Sequence, residues 1–251
     1  MSLIDKLSKN EFFVWIYVTL TFWLSWLFDF GNKEQKRLFI KIRPYTMVSY
    51  KRLKNTYELA TLIEKNKING SFVECGVWKG GSSAMLAYVS QKFKSNREIH
   101  LFDSYEGLPE PTVIDGNKAI SFSEGKAKGS LNTINKTIGT LDNVKNLFFS
   151  ILGLNKNNVF FHKGWFQSTL SKNKCNVGKI ALLRIDADWY KSTKICLEEL
   201  YPQVVKGGYV IIDDYGWWEG AKKAVDEYML NNKIQLNFNK IDFSGIYFQK
   251  P

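Results

Sequence analysis

Three cysteines (Cys75, Cys175 and Cys196), with no C-x-x-C spacing among them, leave no disulfide framework and no cysteine-built zinc site. They suit a reducing compartment. Two histidines, His100 and His162, are too few for a histidine-rich metal centre. Five prolines and 18 glycines in 251 residues exclude collagenous and linker-dominated chains. No RNA-recognition signature, zinc-finger spacing or basic helix is present, so no nucleic-acid partner is expected despite a net charge of +11. Neither G-x-G-x-x-G nor a Lys-Ser/Thr phosphate loop occurs, which argues against dinucleotide and P-loop chemistry.

What is present divides the chain in two. Residues 12–28 read FFVWIYVTLTFWLSWLF, 17 residues without a charge, eight of them aromatic. As a helix the run spans about 25 Å. With only Thr19, Thr21 and Ser25 as small polar residues it has no solvated face, and such a helix is buried in lipid or in protein. Tryptophans suit a membrane interface, and Lys33, Lys36, Arg37, Lys41 and Arg43 downstream suit anionic headgroups. The expectation is an N-terminal membrane anchor over 1–30, a basic linker over 31–50, and a catalytic domain over 51–251 on the cytoplasmic side. The competing reading packs the helix on the domain, or on a second subunit of a homo-oligomer.

From residue 52 onward strands alternate with helices. The pattern predicts helices over 52–68, 82–92 (capped by Ser82 or Ser83), 131–152, 191–205 and 219–231. Strands are predicted at 71–75, 99–102, 159–162, 180–185 and 209–212. Gly207-Gly208 reads as a helix stop, and 105–130 as a lid or insertion. Alternation of this kind is α/β with a mostly parallel sheet, and the tail (234–242 and 246–249) reads as an antiparallel hairpin at its edge.

Ligands of open parallel sheets bind beyond the carboxyl ends of the strands. There this sequence places a glycine-rich turn (Glu74-Cys75-Gly76 to Gly80-Gly81-Ser82), Asp103-Ser104, His162, Asp186-Ala187-Asp188 and Asp213-Asp214. Asp103 can accept both hydroxyls of a ribose. The four aspartates of the last two strand ends converge, and clustered carboxylates without His or thiolate point to a hard cation such as Mg²⁺, Ca²⁺ or Mn²⁺. Trp217-Trp218, just beyond, reads equally well as a pocket wall or as core.

Five motifs stand in order: VECGVWKGGS (73–82), LFDSYEGLP (101–109), HKGWFQSTL (162–170), LRIDADWYKST (183–193) and GGYVIIDDY (207–215). Together with IRPYTMVS (42–49) they resemble the macrocin O-methyltransferase family. The resemblance implies a Rossmann-like doubly wound fold, S-adenosylmethionine and Mg²⁺ as cofactors, and a sugar hydroxyl on a glycan or glycosylated natural product as acceptor. It places Glu74, Gly76 and Ser82 at the methionine end of the cofactor, Asp103 and Ser104 at its ribose, and Gly164 and Trp165 near its adenine. Asp186, Asp213 and Asp214 would bind the metal, and Asp188 or Asp186 would take the acceptor's proton. Asp186-Ala187-Asp188 departs from the family's usual Asp-Gly-Asp. The alternative class is a nucleoside-binding membrane scaffold without turnover, which has no need of four converging carboxylates.

Overall fold

A computed structural model describes residues 11–235 and 237–251. The first ten residues of the expected N-terminal segment lie outside the described residues. Seven strands form one sheet in the order β3-β2-β1-β4-β5-β7-β6. They are β1 (Ser71–Cys75), β2 (Ile99–Asp103), β3 (Val159–Lys163), β4 (Ile180–Ile185), β5 (Val204–Ile212), β6 (Asn239–Lys240) and β7 (Ile246–Gln249). The first five pair in parallel; β7 runs antiparallel to both β5 and β6.

The strands are short and apolar on both faces, as a sheet covered twice requires. On one face Phe72, Ile99, Leu101 and Leu182 pack against α3 (Tyr50–Lys65) and α4 (Gly81–Phe93), which follow α1 (Glu11–Phe28) and α2 (Lys33–Ile42). On the other, Val73, Leu183, Ile185 and Val210 pack against three helices. These are α7 (Phe166–Val177), α8 (Tyr190–Leu200) and α9 (Glu219–Asn231). Two short helices, α5 (Gly116–Phe122) and α6 (Leu141–Lys145), lie between β2 and β3. This is the doubly wound Rossmann-like arrangement expected.

Membrane attachment is overturned. Among the described residues no helix is long and apolar enough to cross a membrane. The physical reason is that seven of the 17 uncharged residues are Trp, Tyr, Thr or Ser rather than aliphatic. Helix α1 rests on the domain: Phe22 is fully buried and meets Tyr50 edge-on, with ring centroids 5.4 Å apart. Arg43 stacks its guanidinium on Phe22 and donates to Thr19 Oγ1 at 3.1 Å. Asp29 accepts from the Tyr50 hydroxyl at 2.8 Å and from Lys54 at 2.9 Å. The basic segment behind it is helical, with Leu38, Phe39 and Ile42 of α2 buried. With no membrane-crossing helix among the described residues, the expected membrane partner and the membrane-bound location on the cytoplasmic side lose their basis. Phe22→Ala is accordingly expected to cost about 3–5 kcal/mol of unfolding free energy in urea melts. A loss below about 1 kcal/mol, within the range of surface substitutions, would mean that α1 adds nothing to the core.

Three other differences have local causes. Helix α4 is capped by Gly80 in the left-handed region, not by Ser82 or Ser83, whose hydroxyls turn to Glu74 instead. Helix α8 ends at Leu200, and Gly207-Gly208 sits inside β5, where the register with β4 jumps from Val204 to Tyr209. Gly207, at φ +79°, forms that bulge and its N–H donates to the Lys250 carbonyl at 2.8 Å. Within 131–152 helix begins only at Leu141; the preceding residues belong to the insertion, tied by a bridge between Pro109 and Thr133.

Candidate active site

Four of the five expected groups meet at the carboxyl edge of the sheet because β1, β2, β4 and β5 end side by side. The turn after β1 depends on Gly76 (φ +88°): a Cβ there would overlap the Asp186 carbonyl oxygen, which lies against it. Asp103, ending β2, reaches back over this turn. Its Oδ2 accepts the backbone N–H groups of Val77 (2.6 Å) and Trp78 (3.0 Å), and its Oδ1 accepts that of Tyr105 (2.6 Å). Burial raises the Asp103 carboxyl above its ordinary range, and the three N–H donors work against that rise. Gly164 donates its N–H to the Asp103 carbonyl at 2.9 Å, which places the Gly164-Trp165 turn next to Asp103. Ser104 shapes the loop, donating to the Gly107 carbonyl at 2.9 Å.

Arg184 organises the site, and sequence reasoning missed it. It lies on β4 in register with Glu74 of β1, fully buried. One terminal nitrogen donates to Glu74 (2.5 Å) and to Asp186 (2.9 Å); the other pairs with Asp213. Arg52, from α3, pairs with the second oxygen of Asp213 and donates to Asp242 at 3.0 Å. Glu74 also accepts from Ser82 (2.7 Å) and Ser83. Burial still pushes the Glu74 and Asp213 carboxyls upward; the arginines offset that without cancelling it. An arginine amid IALLRI gives no alternation signal, but a charge inside a buried strand demands partners.

Asp213 therefore spends both oxygens on arginines. The carboxylates that offer oxygens within 4.8 Å of one another are Asp186, Asp188 and Asp214. Asp188 sits at φ +57°, its Oδ1 accepts from the Trp218 indole N–H at 2.7 Å, and its own N–H donates to Asp214 Oδ2 at 3.1 Å. Burial raises Asp188 and Asp214 well above the carboxylate range, and the neighbouring aspartates push the same way. No arginine bonds Asp188 or Asp214 among the described residues; Arg52 acts on Asp214 only through space. Clustered hard oxygen donors without a bonded protein cation suit a divalent cation.

The insertion covers this edge as a lid. Buried Asp115 accepts the Tyr190 N–H at 2.6 Å, and Trp189 donates its indole N–H to the Pro109 carbonyl at 2.9 Å. Ala119, Ile134, Trp189, Trp218 and Ala221 form a small core beneath it. Lys118, on α5, lies above Trp217 and Trp218, and burial lowers its pKa to about 8. His162 does not join the site: its ring stacks on Phe102 (centroids 4.1 Å apart) and its Nε2 lies 3.0 Å from His100 Nδ1.

The sequence model of the family Macrocin-O-methyltransferase (TylF) matches residues 33–250. Demethyldecarbamoylnovobiocin O-methyltransferase of Streptomyces niveus is 33% identical over 207 residues, covering 82% of this chain and 76% of that protein. The 8-demethyl-8-(2,3-dimethoxy-alpha-L-rhamnosyl)-tetracenomycin-C 4'-O-methyltransferase of Streptomyces olivaceus is 31% identical over 210 residues, covering 82% and 75%. The structure of the O-methyltransferase NovP superposes with a TM-score of 0.72 at 28% identity, over 94% of this chain and 99% of that one. The calicheamicin methyltransferase CalS11 shares the fold at 18% identity, with a TM-score of 0.64 over 93% and 91% of the two chains. The chain belongs to the macrocin O-methyltransferase family and is an S-adenosylmethionine-dependent O-methyltransferase.

Proposed function

We propose that the protein transfers the methyl group of S-adenosylmethionine to a hydroxyl of a sugar carried by a glycan or glycosylated natural product, with a divalent cation, Mg²⁺ by its chemistry, at the aspartate cluster. The observation that carries this is one edge of one sheet: Asp103 and the Gly76 turn lie beside three clustered carboxylates, of which only Asp186 is bonded to a protein cation, Arg184. The Streptomyces olivaceus relative, a 4'-O-methyltransferase of a rhamnosyl-tetracenomycin, supports a sugar as acceptor.

S-adenosylmethionine, when bound, would supply a methyl group on a sulfonium open to an oxygen nucleophile. A cation, which Asp186 and Asp214 would hold, would supply positive charge that favours ionisation of an acceptor hydroxyl. Everything else falls to this chain. Asp103 takes the ribose hydroxyls, with the Ser104 turn fixing its loop. Gly76 lets the backbone approach the cofactor, and Glu74 with Ser82 closes the methionine end. Gly164 and Trp165 border the adenine. Asp188, its Oδ1 fixed by Trp218, presents Oδ2 to the acceptor and takes its proton. Burial makes that carboxylate a stronger base than a solvated one. Asp213 keeps Arg52 and Arg184 in place. Much of the acceleration comes from holding two reactants at one edge.

The test is transfer of labelled methyl from S-adenosylmethionine to methyl α-L-rhamnopyranoside, methyl α-L-fucopyranoside and methyl α-D-mannopyranoside. Turnover is expected with Mg²⁺, and its loss in EDTA. Undiminished turnover in EDTA would exclude the metal, and absence of any methylated sugar would exclude the acceptor class.

A further inference from the structure

Trp217 and Trp218 are adjacent in sequence and do different things. Trp218 is buried, meets Trp189 edge-on with centroids 4.9 Å apart, and fixes Asp188. Trp217 is half-buried at the rim, where it meets Phe243 edge-on with centroids 5.6 Å apart; Phe243 is itself 54% exposed. Over the face of Trp217 lies the ammonium of Lys118 on the lid, which also donates to the Trp217 carbonyl at 3.3 Å. Glu219 and Asp214 act on that ammonium through space, but among the described residues no carboxylate forms a salt bridge with it. An aromatic face at the rim, three residues from Asp214 of the ionisable cluster, thus carries over it a flexible side chain without an ion pair.

We propose that Trp217 and Lys118 form the subsite of the acceptor sugar. The apolar C–H face of the pyranose rests on the Trp217 indole, and Lys118, moved off that face, donates to an oxygen of the sugar. This rests on the sugar-acceptor reading above. The argument is one of exchange. A pyranose presents a flat patch of C–H groups, which gains dispersion contacts on an indole face. Lys118 leaves a cation–π contact that a sugar oxygen replaces with a hydrogen bond, and no ion pair breaks in the move. Trp217 lies three residues beyond Asp214 and its N–H donates to the Asp214 carbonyl at 3.0 Å, so a ring held there stands beside Asp214 and Asp188. Trp218 cannot take this part, because its burial and its bond to Asp188 hold it in the core.

The experiment uses the full chain with Mg²⁺, labelled S-adenosylmethionine and the glycoside of the three above that the parent methylates fastest. Trp217→Ala is expected to raise the acceptor KM about tenfold or more while kcat changes less than about threefold, and Trp217→Phe to retain most of the parent's KM. Lys118→Met is expected to raise KM about fivefold, with Lys118→Arg closer to the parent. The dissociation constant of S-adenosylhomocysteine, read by calorimetry, should stay unchanged in all four, which excludes simple misfolding. An acceptor KM within about twofold of the parent in both Trp217→Ala and Lys118→Met overturns the subsite while leaving the sugar reading intact. Losses in kcat alone overturn it as well. If the parent methylates none of the glycosides, the sugar reading fails and this inference falls with it.

Discussion

Asp214→Asn is expected to lower methyl transfer about a thousandfold, the scale seen when a preorganised charge is removed from a reacting centre. The fold should survive it, for a reason peculiar to this site. Asp214 is buried beside Asp186 and Asp188, and its carboxyl is raised by burial and by both neighbours. Without a bound cation the folded chain therefore binds protons there more tightly than the unfolded chain does. By linkage, this contribution to stability is present at low pH and is lost as pH rises from the ordinary carboxylate range through the raised values. A neutral amide removes one of the repelling charges. The thermal midpoint of the variant in EDTA at pH 7 should equal or exceed the parent's, while the gain that Mg²⁺ brings to the parent should shrink. A variant that melts well below the parent in EDTA would show that Asp214 holds the structure together and is not poised for a cation.

Arg184→Met points the other way. It should cost about 3–5 kcal/mol of stability, because removing the arginine leaves the fully buried Glu74 without a cation. Here one guanidinium serves three carboxylates, Glu74, Asp186 and Asp213, the first and last almost completely buried. For a chain of this size that is a fall of about 10 °C or more in thermal midpoint. Arg184→Lys should recover little of it, since a single ammonium cannot reproduce a fork that reaches partners through both terminal nitrogens. A midpoint within about 2 °C of the parent would mean that water enters and solvates the carboxylates.

The contrast between these two positions shows what was legible in the sequence. Strand ends carrying Asp103, Asp186, Asp188, Asp213 and Asp214 could be read directly, because short apolar runs ending in acid have few other meanings in an α/β chain. Which aspartate meets which partner could not, because that depends on cations arriving from elsewhere: Arg52 from α3 and Arg184 from inside a strand. The N-terminal run failed for a related reason. Hydrophobicity along residues 12–28 states that a helix must hide its surface, not where. The answer lay in Phe22, Arg43 and Tyr50 meeting across more than 20 positions. Gly207-Gly208 was ambiguous because a helix stop and a strand bulge use the same backbone freedom, and only pairing with β4 separates them.

The carboxylate–arginine network also bears on the order in which the chain is made. Arg52 and Asp242, which close it on one side, are 190 positions apart, and Glu74 and Arg184 are 110 apart. Such long loops are closed late, since entropy must be spent before distant contacts return it. A chain emerging from the ribosome presents Glu74 long before Arg184, and Asp213 before the hairpin that carries Asp242. Until β4 docks, the β1 edge stays open to pairing with another chain, and until the hairpin docks, the β5 edge does. The network is complete on its Arg52 side only when the hairpin that carries Asp242 has docked on β5.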